Sequence, residues 1–148
     1  MFIAAIFVAC NKDDDEPAVP NYIGTFEVSA LRDDCTDPTL SGMVVREDQG
    51  VCLFVTDGQN CIDIRLELNA DMTYSLTTTI TEIRGSSSNT RAPSTDRGNY
   101  EVTNNQLTLN PQATDPTVMS IGNNGSTIDW VVATLNNGCE RIYGFMKT

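Results

Sequence analysis

Histidine is missing from all 148 residues. Its absence removes the side chain that most often serves as general base, zinc ligand and activator of a nucleophile. No serine, threonine or cysteine stands in a nucleophile-plus-base pattern, so the chain reads as a non-enzyme with no catalytic residue. Positive charge is scarce as well: 9 Lys and Arg stand against 20 Asp and Glu, a net charge of −11. Such a surface repels phosphate backbones and anionic headgroups, and no nucleic-acid partner is expected. Long apolar runs are lacking too. The most pronounced, MFIAAIFVA at residues 1–9, falls well short of the roughly 20 residues that a membrane helix needs. No stretch carries convincing helical spacing.

What the chain does have begins at that apolar run. Residues 1–9 have the length of a signal-peptide core, and they run into FVAC, Phe7–Cys10, then into NKDDDE. FVAC resembles the lipobox of bacterial lipoproteins, with small residues before a cysteine, although Phe7 stands where leucine is usual. The basic segment that normally precedes is absent, as a late-placed start codon would leave it. The resemblance implies cleavage before Cys10, acylation of that cysteine, and attachment to a membrane. Residues 10–20, charged and proline-bearing, cannot form a core and read as a solvated tether. With Asn21 its dozen residues reach at most about 40 Å. Acids directly after the acylated cysteine, here Asp13, Asp14, Asp15 and Glu16 behind Lys12, resemble the export signal of surface lipoproteins of Bacteroidota-type bacteria. That likeness implies an outer-membrane location facing the cell exterior; a plain soluble spacer is the alternative.

Beyond Cys10 four cysteines remain, Cys35, Cys52, Cys61 and Cys139, and an even number in an exported chain predicts two structural disulfides. No CxxC spacing and no histidine support a metal site. Asp33, Asp34 and Asp37 in RDDCTDP carry oxygens suited to Ca²⁺ but read as solvated acids. Neither metal nor cofactor is expected.

From residue 21 to 148, one domain's worth of chain, the apolar period is two. IDIRLEL puts Ile62, Ile64, Leu66 and Leu68 on one face, and TYSLTTTI does the same with Tyr74, Leu76, Thr78 and Ile80 after the turn NADM, so residues 62–81 read as a hairpin. A first strand runs from about Tyr22 to Leu31. GNYEV and QLTLN follow, joined by TNN, then TVMSI, STIDWVVAT and ERIYGFMK, the last two joined by LNNG. Two segments interrupt the pattern. Residues 32–61 read as a long insertion with a short hairpin about Asp57-Gly58, and residues 84–98, polar and rich in Gly, Ser and Pro, as a mobile loop. Eight strands on tight turns predict an all-β, antiparallel up-and-down barrel, because closure removes both sheet edges.

YIGTFEV, LELNADMTYSL, GNYEVTNNQLTL and IDWVVATLNNGCERIYGFMK together resemble the lipocalin-like domains of bacterial lipoproteins. The resemblance implies binding of a small, apolar ligand. Phe26 replaces the family's tryptophan and ADMTY its DGTY turn, so no ligand residue is carried over from it. From the residues alone, Phe26, Tyr74, Tyr100 and Trp130 are the tentative ligand-binding set, Trp130 standing in phase with Ile128 and Val132. An eight-stranded barrel is barely wide enough for its own side chains or one small ligand, so these rings either line a cavity or fill it. An open pocket under Trp130 would mark a ligand binder. A filled interior with an apolar patch on the long insertion would mark a structural or interaction module.

Closure also bears on the cysteines. In a barrel with an even number of strands, the first and last are antiparallel neighbours, so the chain after Leu31 lies beside the start of the last strand near Cys139. Cys35 with Cys139 and Cys52 with Cys61 are therefore favoured. Cys61 starts a strand that abuts the same rim, and Cys35 with Cys61 competes.

Overall fold

A computed structural model describes residues 20–135 and 138–148. Cys10, residues 1–9 and the tether as far as residue 19 lie outside the described residues. Among those described there are eleven strands and two single 3-10 turns. The strands are β1 (Gly24–Cys35), β2 (Gly42–Glu47), β3 (Gly50–Val55), β4 (Gly58–Leu68), β5 (Thr73–Arg84), β6 (Ser87–Thr90), β7 (Ser94–Thr103), β8 (Gln106–Leu109), β9 (Thr117–Gly122), β10 (Thr127–Thr134) and β11 (Cys139–Lys147). Every pairing is antiparallel. The circuit β1-β4-β5-β7-β8-β9-β10-β11 returns to β1 and closes a barrel. These eight strands are the eight expected from the apolar period.

Local chemistry explains the turns. Asn104 and Asn105 both take positive φ, 51° and 62°, the backbone that a two-residue hairpin turn requires and asparagine tolerates. At NADM the Asp71 carboxylate accepts from the Thr73 amide at 3.1 Å and from its hydroxyl at 2.6 Å. Inside the barrel, Phe26, Val28, Leu66, Leu107 and Ile128 are wholly buried, with Leu68, Leu109, Met119 and Phe145 beside them. Burying such side chains at about 1.5–3 kcal/mol each is the main force holding the barrel.

Both disulfides form as topology favoured. Cys35 and Cys139 face each other across β1 and β11 with Cα atoms 4.1 Å apart; Cys52 and Cys61 do so across β3 and β4 at 3.9 Å.

Three elements differ from expectation. β1 runs on through RDDC to Cys35 instead of ending near Leu31, because β11 and then β2 supply partners. The insertion folds as β2, β3 and the start of β4, with one 3-10 turn at Pro38–Leu40. Residues 84–98, expected as a mobile loop, are largely strand: β6 pairs with the end of β5, and β7 begins at Ser94. Their ladder is backbone bonding reinforced by hydroxyl pairs, Thr77 with Thr95 at 3.1 Å and Thr81 with Thr90 at 3.0 Å.

Candidate functional site

The four candidate aromatic residues divide. Phe26, Tyr74 and Tyr100 are at most 2% exposed and belong to the core cluster. With so little accessible surface these rings pack in the core instead of lining an open cavity, although Tyr74 also borders a surface recess of about 520 Å³ with Asn69, Arg97 and Asn99. The Tyr100 hydroxyl donates to the Asn69 carbonyl at 2.7 Å, and its ring meets Tyr22 edge-on at 6.4 Å. The Tyr74 hydroxyl donates to Asp96 at 2.5 Å and accepts from the Asn110 side-chain amide at 2.7 Å. Burial, then the Asp96 bond, pushes that hydroxyl's pKa up, which keeps it protonated. The Tyr74 ring lies over Gly98, its partner on β7, where an added Cβ would come within 2.0 Å of the Asn110 side chain.

Trp130 is separate. It is half-buried and packs on the core from the disulfide end of the barrel, its ring 6.2 Å from that of Tyr143. Ile128 is wholly buried as expected, but Val132 is exposed. The register of β10 on β11 shifts between Val131 and Ala133, and such a bulge turns every later side chain over.

At this same end a recess of about 280 Å³ opens above the core, with Leu31, Val44 and Leu53 as its apolar wall and Asp33 and Arg141 at its side. Arg141 grips Asp33 with two bonds of 2.8 Å, which lowers the Asp33 pKa. Arg32, on the other face of β1, reaches over β11 to Asp129 on β10 at 3.0 and 2.8 Å. Gly144 leaves room for that crossing, since a Cβ there would stand 3.3 Å from the guanidinium. Asp34 pairs with Arg32, and Asp37 accepts from the Thr39 amide, so the three acids considered for Ca²⁺ have partners within the chain. Among the described residues no group of three metal-capable side chains occurs.

The insertion departs most from an ordinary barrel wall. β1 and β4 pair directly only from Gly24 to Glu27; above that they part, and β2 and β3 fill the fork. Arg46 sits in the crotch. Its guanidinium donates to the Val28 carbonyl at 3.1 Å and to Asp63 at 2.5 Å, with Glu27 at 3.7 Å. Pairing between β2 and β3 comprises only Arg46 with Val51 and Glu47 with Gly50. Beyond it Gly42–Val45 pairs with β1 alone and Cys52–Val55 with β4 alone. Outward from this hairpin stand Phe54, 83% exposed, Met43 at 67% and Val45 at 57%, with Leu40 and Val55 also exposed. Sequence reasoning singled out the insertion but not these residues; their signal is that MVV and CLFV are apolar on both faces.

Fold and site together define a small, histidine-free β-barrel domain with a buried apolar core, stapled by two disulfides and carrying an apolar hairpin on one wall. The NlpE N-terminal domain family matches residues 57–133, just over half of the chain, and the protein belongs to that family. The family is one of outer-membrane lipoproteins, so the barrel and the lipoprotein character read from the sequence agree with it. The match runs from the turn before β4 to near the end of β10 and omits β2 and β3. No curated protein and no solved structure matches the chain significantly.

Proposed function

We propose that this protein is anchored through acylated Cys10 at the outer membrane, faces the cell exterior, and acts as a non-enzymatic interaction module. Its barrel is a rigid scaffold that presents the β2–β3 hairpin. The observation that carries this reading is the burial of Phe26, Tyr74 and Tyr100 in the core together with the exposure of Met43, Val45 and Phe54 on one insertion. Several large apolar side chains left in the open on one short insertion are what a contact surface requires. The test places a photo-crosslinking amino acid at Phe54 or at Glu101, an exposed residue of β7, in intact cells. Discrete adducts from position 54 and none from position 101 are expected. Equal labelling from both, or none from position 54, would overturn the reading.

A second reading, the binding of a small apolar ligand at the mouth, has one observation in its favour. The recess beside Leu31, Val44 and Leu53, at about 280 Å³, comes near the lower end of ligand pockets, roughly 300 Å³. Apolar probes that shift the emission of Trp130, with loss of the shift in Trp130→Ala, would establish it. Emission indifferent to such probes would remove it.

A further inference from the structure

We infer that the fork between β2 and β3 is a strand-addition site, which takes an extended apolar segment of a partner protein flanked by basic residues. The inference rests on the reading of the hairpin as an interaction surface and names its mode. Its basis is the pair of unfinished edges. Above Arg46 and Val51, the strands β2 and β3 face each other without pairing, each tied on its other side to a barrel strand. No β2–β3 residue pair forms beyond Arg46 with Val51, and an added Cβ at Gly42 would meet nothing within 4 Å, so the sheet face at the end of the fork is uncovered there. Backbone amides and carbonyls along such edges are templates for another chain.

Side chains of the incoming segment would alternate between two apolar surroundings. Those directed inward would meet the recess at Leu31, Val44 and Leu53, with Asp33 and Arg141 at its side, and those directed outward would meet Val45 and Phe54, while Met43 borders the recess and is itself exposed. Because both surroundings are mainly apolar, the segment must be apolar at successive positions rather than at alternate ones. Because β2 and β3 run in opposite directions, it lies antiparallel to one edge and parallel to the other. Exposed acids bracket the fork, Glu47 and Asp48 at its closed end and Asp57 at the turn into β4, on a chain of net charge −11. They select a segment with lysine or arginine at its ends and disfavour an anionic lipid surface.

The probe is a synthetic peptide with an uninterrupted core of valine, isoleucine and phenylalanine and a lysine at each end, titrated against the folded domain. The expected results are saturable binding, hydrogen-exchange protection at Gly42–Val45 and Cys52–Val55, and at least ~10-fold weaker binding when alternate peptide amides are N-methylated, since two or three backbone hydrogen bonds are lost. Leu53→Arg should weaken binding at least as much, and Glu101→Arg on the far wall should leave it unchanged. The N-methyl comparison uses the unaltered protein, so a folding defect in Leu53→Arg cannot decide the outcome. No binding, binding indifferent to N-methylation, or self-association through the fork that excludes the peptide would overturn the inference. If the peptide fails while position 54 still gives discrete crosslinks, strand addition falls and the interaction module stands.

Discussion

Removing the Cys35–Cys139 bridge should cost more stability than removing Cys52–Cys61, although the two look alike locally. Each joins neighbouring antiparallel strands with Cα atoms about 4 Å apart, and three of the four cysteines are buried. They differ in the loop closed, 104 residues of separation against 9. In the chain-entropy treatment the longer loop contributes about 4.7 kcal/mol and the shorter about 2.6 kcal/mol. With an unfolding entropy of about 2.1 cal/mol/K per residue over a domain of some 130 residues, these correspond to losses of roughly 17 °C and 10 °C in Tm. The assay is thermal unfolding of Cys35→Ala/Cys139→Ala and Cys52→Ala/Cys61→Ala, followed by circular dichroism and checked by calorimetry. A short-loop variant that falls as far as the long-loop variant would refute the reasoning. It would show that the bridges act through native packing or strain and not through the unfolded chain.

Three further outcomes follow from particular contacts. Gly98→Ala should destabilise the domain by about 1–3 kcal/mol, measured by urea unfolding, because the new Cβ would stand 2.0 Å from the Asn110 side chain and displace its bond to Tyr74. Arg141 holds the Asp33 carboxyl below its usual pKa, so the stability this gives is present above the unfolded value near 4 and is lost as pH falls through the folded one. With both side chains partly exposed, it amounts to about 0.2–1 kcal/mol, and Asp33→Asn should flatten the stability profile below about pH 4 by that amount and leave its shape unchanged above pH 5. Cys10→Ala should move the protein from the membrane fraction to the soluble or uncleaved one, because stable anchoring needs more than one acyl chain; unchanged partitioning with an unmodified thiol would remove the anchor from the reading.

The eight strands of the closed circuit were legible because each carries one apolar face and most end in turns of asparagine, aspartate or glycine. Ile64, Leu66 and Leu68 in β4 and Leu107 and Leu109 in β8 are buried where the alternation puts them. Closure then decided the cysteine pairing, since strand parity brings Cys35 beside Cys139. The additional strands were illegible for opposite reasons. β2 and β3 are apolar on both faces, so no alternation marks them. Ser87–Thr90 is polar on both faces and owes its place to the backbone of β5. The two bulges, between Val28 and Ala30 and between Val131 and Ala133, belong to the fit of one strand on another and leave no trace in either strand alone. They explain why Leu31 rather than Ala30 is buried, and why Val132 left the face that Trp130 shares with Ile128.

The placement of the staples gives the fork its mechanical character. On one side β2 lies against β1, which is tied to β11 by the Cys35–Cys139 bridge and by Arg141 with Asp33, and across β11 to β10 by Arg32 with Asp129. On the other side β3 is fixed to β4 by Cys52–Cys61. The two sides are joined at the closed end by the β1–β4 ladder from Gly24 to Glu27, by the two β2–β3 pairs, and by Arg46, which links the Val28 carbonyl to Asp63. Each edge is therefore backed by a barrel strand, while beyond the four β1–β4 pairs the gap between them is bridged by one guanidinium and two residue pairs. An edge already held straight loses little conformational entropy when a strand is added, and preorganisation of this kind raises affinity without further contacts. The same arrangement separates the two roles of the cysteines: Cys35–Cys139 secures the closure of the barrel, and Cys52–Cys61 secures the edge that an incoming strand would meet.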